Sequence, residues 1–332
     1  MTTTTRTASA APAPDDRVED VSWRRRNALY LAMAAGVVAV VVAAGASVPG
    51  FLTFDNFLNV VRVASVTGIV ALGMSFVTIS GNFFSLSLEQ TAALTAVVFT
   101  VCMQRGAPLL VGVLVALSVA AAAGAVQGAL VAAGANPVVT TIGAGAVLFG
   151  IAAAATNGKN VRLDTDAAQW LGTGRPLGVP TQSWAFVLTT ALAWFLLRRT
   201  RFGRQVYLVG SNRETARGCG VSPGRVALAS LVLSALAAGV VGVLGAAQFG
   251  QVKVDAFSGT NINVVAAVLV GGVALAGGQG SPLMPAFGAV FIALLQNFMY
   301  IKGISTGVRI TVVGAVVVAA VCLFHVARRR ST

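Results

Sequence analysis

Twelve neutral hydrogen-bonding side chains fall inside the apolar stretches of this 332-residue chain: Asn82, Ser85, Ser87, Gln90, Gln127, Asn136, Gln248, Asn261, Asn263, Gln279, Gln296 and Asn297. Such groups donate and accept hydrogen bonds without carrying charge. Collectively they suit a path for a polar, uncharged solute. Singly, each also suits the joining of two helices, aided by small residues such as Gly239, Gly242 and Gly245, or Gly271-Gly272, that let helices approach closely. Only Glu89 brings a carboxylate into an apolar stretch. A carrier driven by protons or sodium needs ionisable groups at such depth, so that class is disfavoured. The lone histidine, His325, reads as passive and interfacial.

A second cluster is strongly basic. Segment 198–225 (RRTRFGRQVYLVGSNRETARGCGVSPGR) holds seven arginines. Ser211-Asn212 can cap a helix start, with Glu214 three residues after Ser211 in capping-box register. Gly218 and Gly220 then end that helix within about two turns, and Pro223 enforces the exit. A short capped helix lying along the membrane between two spans is a device for passing force from a soluble partner. The plainer alternative is a basic loop that obeys the rule placing Lys and Arg inside.

Several chemistries are excluded. The chain has no G-x-x-x-x-G-K-[ST]; its nearest string, Asn157-Gly158-Lys159-Asn160, lacks both the first Gly and the hydroxyl. Leu275-Ala276-Gly277-Gly278-Gln279 looks like an ABC ATPase signature but lies between two apolar spans. If ATP is used, a separate subunit binds it. Cys102, Cys219 and Cys322 are far apart without CxxC spacing, so a disulfide framework or metal site is not expected. No paired carboxylates, His cluster or nucleophile–base spacing supports a membrane-embedded enzyme.

The elements that must position these residues are membrane spans. Only 33 side chains are charged, 23 Lys or Arg against 10 Asp or Glu, and 56% of the chain is apolar. A soluble globule could not cover its surface so sparsely. The net charge of +13 would suit nucleic acid, but such binders cluster their basic groups on one solvated face, whereas here they punctuate long uncharged runs. Those runs are 27–54, 63–88, 106–158, 176–197, 226–252, 256–301 and 310–327, with 85–103 a further candidate broken only by Glu89 and Gln90. A span needs about 20 residues. The two longest runs must therefore split, one at Ala133-Gly134-Ala135-Asn136-Pro137 and the other at Gly277-Gly278-Gln279-Gly280-Ser281-Pro282.

The expected fold class is thus an all-α polytopic membrane protein of about ten spans; a barrel would show short alternating segments. With both termini cytoplasmic, 15 of the 23 basic residues lie inside. Residues 1–26 read as a disordered cytoplasmic tail, 27–327 as the membrane domain and 328–332 as a basic C-terminal tail. Residues 157–181, with Asp164, Asp166 and Trp170, form the longest outer loop, read either as a plain connector or as a docking surface for an external partner.

Three stretches carry a family resemblance. They are Gly174-Arg175-Pro176-Leu177-Gly178-Val179-Pro180; Thr200-Arg201-Phe202-Gly203-Arg204 with Tyr207, Gly210-Ser211-Asn212, Ala216, Arg217, Gly220 and Val221; and Ala266-Ala267-Val268-Leu269-Val270-Gly271-Gly272 with Leu275-Ala276-Gly277-Gly278-Gln279-Gly280. With them the chain resembles the membrane subunits of ABC importers of the ribose/galactose type, within the wider group that includes branched-chain amino-acid permeases. The similarity spans roughly residues 50–325.

That resemblance implies a non-enzymatic permease in the bacterial cytoplasmic membrane, paired with a second permease copy. It also implies cytoplasmic ATPases carrying ATP-Mg, an extracytoplasmic solute-binding protein, and no cofactor on this chain. Asn212, Glu214, Ala216, Arg217 and Gly220 would belong to the segment coupling to the ATPase. The solute would be a sugar such as ribose or a related monosaccharide, with an amino acid, nucleoside or other polar metabolite as the alternative. Phe83 stands where the family shows Asp, and Asn261 and Asn263 replace an acidic pair. The polar residues at these departures, Asn82, Ser85, Asn261 and Asn263, together with Glu89, are the expected pathway set.

Overall fold

The computed structural model describes residues 53–163 and 166–329, together with Val38, Val42, Gly45 and Phe51. The expected tail at 1–26, most of the first expected span, Asp164, Thr165 and residues 330–332 lie outside them, as does the side chain of His325.

The described chain is a helical bundle. In order, α1 runs Phe54–Ile79, α2 Leu88–Gln104, α3 Leu109–Ala132 and α4 Pro137–Thr156; α5 is Asp166–Thr173 and α6 Thr181–Arg199. Two short helices follow, α7 at Arg201–Ser211 and α8 at Arg213–Gly218. The bundle resumes with α9 at Pro223–Phe249, α10 at Thr260–Val270, α11 at Leu283–Ile301 and α12 at Thr306–Arg329. The only strands among the described residues are two-residue pieces, β1 at Val161–Arg162 and β2 at Gln251–Val252, paired antiparallel with Val161 opposite Val252. Five helices (α1, α3, α4, α9 and α11) are long and apolar enough to cross a bilayer. Each expected span within the described region has a helix, and the protein is an all-α polytopic membrane protein.

Local chemistry explains the boundaries. Asn136 accepts hydrogen bonds from the Val138 and Val139 amides and Pro137 occupies the first turn of α4, so the 53-residue run breaks where expected. The 46-residue run differs. Its helix stops at Val270, and 271–282 is non-helical, with positive φ at Gly272, Gly277, Gly278 and Gly280. The expected break covered only the last half of this segment, because the Gly271-Gly272 pair already ends α10 as an 11-residue half-span. The charge-free run 63–88 also misplaced a helix start: α1 begins at Phe54 and carries Asp55 and Arg62 in its first turns.

Helices α1 and α9 form the centre. α9 packs against α1, α2 and α3, while α11 packs against α1 and α10. Ile69, Leu72, Met74 and Ile79 of α1 are fully buried. α3 and α4 are peripheral, with most of their apolar surface outward, as lipid-facing helices are. One end of the bundle carries β1, β2 and the C-terminus of α2, whose Gln104 Nε2 donates to Arg162 O at 2.9 Å. The opposite end carries α7 and α8. That second end carries the excess of arginine, where the bias of basic residues predicts the cytoplasm.

Candidate functional sites: a backbone junction and a polar strip

The basic segment is more structured than a loop with one helix. Thr200 caps α7, its Oγ1 accepting from Gly203 N at 3.2 Å. One face of α7 (Gly203, Val206, Val209) is buried while Arg201 and Arg204 face outward. The cap of α8 is Asn212, whose Oδ1 accepts from Glu214 N at 2.9 Å and Thr215 N at 3.0 Å. Ser211 instead closes α7, its hydroxyl donating to Tyr207 O, so the capping box expected from Ser211 to Glu214 is not formed. The reason is register: α7 runs unbroken to Ser211, leaving Asn212 as the first extended residue. Gly218 and Gly220 do end α8, and Pro223 starts α9 rather than merely stopping a helix.

These two helices are tied to the bundle at one place. Gly278 N donates to Ile79 O at 2.8 Å, Tyr207 Oη donates to Gly280 O at 2.9 Å, and the Phe202 ring stacks on Phe76 at 6.3 Å. The Arg213 guanidinium donates to Gly81 O at 3.3 Å and to Asn82 Oδ1. A Cβ on Gly210 would overlap Ile79 O and Gly278 N. The turn after α1, the turn before α11 and the end of α7 therefore meet backbone to backbone. Non-helical main chain at such depth is stable only where protein satisfies its polar groups, and here each turn satisfies another.

Of the expected coupling residues, Asn212, Glu214, Arg217 and Gly220 are exposed, whereas Ala216 is buried and anchors α8. Asn82, expected on the pathway, is buried beside Arg213 at this junction. Phe83, also with positive φ, is exposed in the turn that follows. Arg213 and Tyr207 were missed as tie points; their long-range partners leave no trace in local spacing.

The remaining pathway candidates lie further into the bundle. Glu89 Oε1 accepts from Gln90 Nε2 at 2.9 Å and Oε2 from Asn261 N at 3.3 Å. Asn261 Nδ2 donates to Leu86 O at 2.8 Å. The Glu89 carboxylate thus sits on the N-terminus of the half-span α10, where unpaired amides and the helix dipole favour a negative charge. Ser85 is buried against Ser87, whose hydroxyl donates to Gln127 Oε1 at 2.7 Å; it serves packing between helices. Asn263 Oδ1 accepts from Gln296 Nε2 at 2.7 Å, and Asn297 Nδ2 donates to Asn56 Oδ1 at 2.9 Å.

Three cavities share lining residues in series, the middle one walled by Ile262 and Asn263 of α10. One of about 70 Å³ has Glu89, Gln90, Asp255 and Ser258 in its wall. The next, about 200 Å³, shares Ser258 and adds Asn263, Gln296, Thr306 and Arg309. The third, about 300 Å³, shares Gln296 and Arg309 and adds Asn59, Asn297 and Tyr300. Together they make a strip of neutral polar groups with two carboxylates, Glu89 and Asp255, near one end and one guanidinium near the other. A larger groove of about 790 Å³ between α3 and α4 is lined almost wholly by Leu, Val, Ile and Ala.

Comparison with known proteins agrees with this architecture. The family described as "Branched-chain amino acid transport system / permease component" matches residues 56–321. The chain is 32% identical over 278 residues to the ribose import permease protein RbsC of Escherichia coli (strain K12), covering 82% of this chain and 86% of that protein. It is 33% identical over 330 residues to the probable ABC transporter permease protein YphD of the same strain, 98% of each chain. It is 30% identical over 281 residues to the L-arabinose transport system permease protein AraH of that strain, 84% of this chain and 85% of that protein. No solved structure matches it. With its helical bundle and a family match over most of its length, the chain belongs to the branched-chain amino acid transport system permease family.

Proposed function

We propose that the chain is the membrane-spanning permease of an ATP-driven importer that carries a monosaccharide or closely related polyhydroxylated solute inward by alternating access. The reading rests above all on the junction at Arg213, which ties an exposed, capped helix directly to the turn after α1, itself bonded to the turn before α11. A push on α8 reaches both membrane elements through hydrogen bonds rather than through a flexible loop. The names of RbsC and AraH support a sugar as cargo, and the strip of amides and hydroxyls suits hydroxylated solutes.

In this scheme a cytoplasmic ATPase, holding ATP-Mg, grips segment 198–225 at Asn212, Glu214, Arg217 and Gly220. A solute-binding protein docks on the outer segment 157–181, where Trp170 and Leu177 stand out from the surface at 60% and 90% exposure. A second permease copy completes the pathway, this chain binds no cofactor, and the assembly resides in the bacterial cytoplasmic membrane. Closure of the ATPase dimer displaces α7 and α8, the junction moves the turns at 80–82 and 277–280, and access switches from outside to inside.

Reconstitution of the permease with its ATPase and binding protein tests this. Uptake should require ATP and both partners. Glu214→Lys and Gly220→Pro should abolish uptake while the permease still inserts and ATP is still hydrolysed. Uptake driven by an ion gradient without any ATPase would overturn the proposal.

A further inference from the structure

The cavity that Gln296 and Arg309 share with Asn59, Asn297 and Tyr300 is unlike the rest of the bundle interior. Arg309 is half-buried in the first turn of α12, and its Nε is buried without a partner. Its Nη2 donates to Thr306 Oγ1 at 2.8 Å, and the guanidinium lies 5.5 Å from the Tyr300 ring centroid. Among the described residues the ion pair found joins Lys253 to Asp255, so Arg309 has no carboxylate there. The aromatic face stabilises the guanidinium at the span end, while its buried Nε still lacks a partner.

The neighbouring amides are equally prepared. Asn297 is 6% exposed, and its Oδ1 is buried without a partner. Its Nδ2 is held by Asn56, and Gln296 Nε2 is held by Asn263, so both amides are fixed in orientation. The two adjoining spaces, about 300 and 200 Å³, are sized for a small molecule rather than a peptide.

We infer that this cavity is a solute site in which the planar fork of Arg309 takes two adjacent oxygens of the cargo while Gln296 and Asn297 orient the remaining polar groups. The inference rests on the importer reading and adds the recognition chemistry. Paired oxygens come from two sources, the vicinal hydroxyls of a neutral monosaccharide or the carboxylate of a sugar acid. A guanidinium binds both in the same bidentate manner. Asn59 and Tyr300 are exposed at the rim, which makes this end of the strip its entry from outside.

The test uses the full chain in its assembled transporter, with Cys102, Cys219 and Cys322 replaced by alanine and Asn59→Cys introduced on the cavity wall. Labelling by a membrane-impermeant thiol reagent is timed with D-ribose, with D-galacturonate, or with neither. Protection by either compound supports the site. Protection by D-ribose assigns vicinal hydroxyls, and protection by D-galacturonate assigns a carboxylate. In both cases Arg309→Lys should weaken protection, because a point charge does not replace the planar fork on two oxygens. Arg309→Gln should raise the concentration needed about tenfold, the effect of one charge-assisted pair. Equal labelling rates under all three conditions would overturn the inference even if ATP-driven uptake proceeds. Protection without uptake would keep the site and count against the importer reading alone.

Discussion

Removing the Arg213 guanidinium leaves Asn82 Oδ1 buried without its donor and frees the Gly81 carbonyl. A hydrogen bond to a charged group is worth about 1.5–3 kcal/mol, and the exposure of Arg213 puts this pair at or below the low end of that range. Arg213→Ala is therefore expected to lower uptake about tenfold with ATP hydrolysis retained, since about 1.4 kcal/mol is a tenfold change; equal loss of both activities would point to misfolding instead. Asn212→Ala removes the cap of α8 at a cost of about 1 kcal/mol, to be seen as faster amide exchange across 213–218 with the membrane helices unaffected. Glu89 belongs with these local effects. As the anionic partner of the α10 N-terminus it should tolerate Gln with a loss of about 0.3–1 kcal/mol, whereas Glu89→Leu leaves Asn261 N without an acceptor. Comparing the melting temperatures of the two purified variants checks this ordering.

Between helices, close approach is decisive. A side chain at Gly242 of α9 would run into Thr95 Oγ1 and Ala92 O of α2. Gly242→Leu should separate the two helices and cost about 1–3 kcal/mol or more from overpacking, measured as reduced thermal stability and yield of inserted protein. The same substitution at Gly143 of α4, where a Cβ meets nothing, should be neutral. The contrast separates helix packing from bulk hydrophobicity, because both positions gain the same apolar group. Discontinuity matters as much as packing. The 11-residue α10 and its non-helical continuation at 271–282 give a segment that can shift without breaking a continuous helical ladder.

For the assembled protein, orientation follows from charge. Cys219, exposed beside α8, should react with an impermeant thiol reagent in inside-out vesicles and stay protected in right-side-out ones. Trp170→Cys on α5 should show the reverse. Labelling of Cys219 in right-side-out vesicles and of Trp170→Cys in inside-out ones would invert the topology and the assignment of the Arg213 junction to the ATPase side.

The class of fold and the separate helices were legible in the chain, because bilayer thickness sets span length. The break at 133–137 was readable because Asn136 and Pro137 cap within the segment they belong to. The early end of α10 and the exchange of cap from Ser211 to Asn212 were not, because the competing registers are nearly equal in local propensity. What Asn82 and Arg309 face was settled only by tertiary structure. Asn82 finds Arg213, 131 residues away, and Arg309 meets Asn59 and Gln296 across one cavity. Hydrophobic length is a property of consecutive residues and survives in sequence; hydrogen-bond partnership across a bundle depends on which faces meet, and only packing decides that.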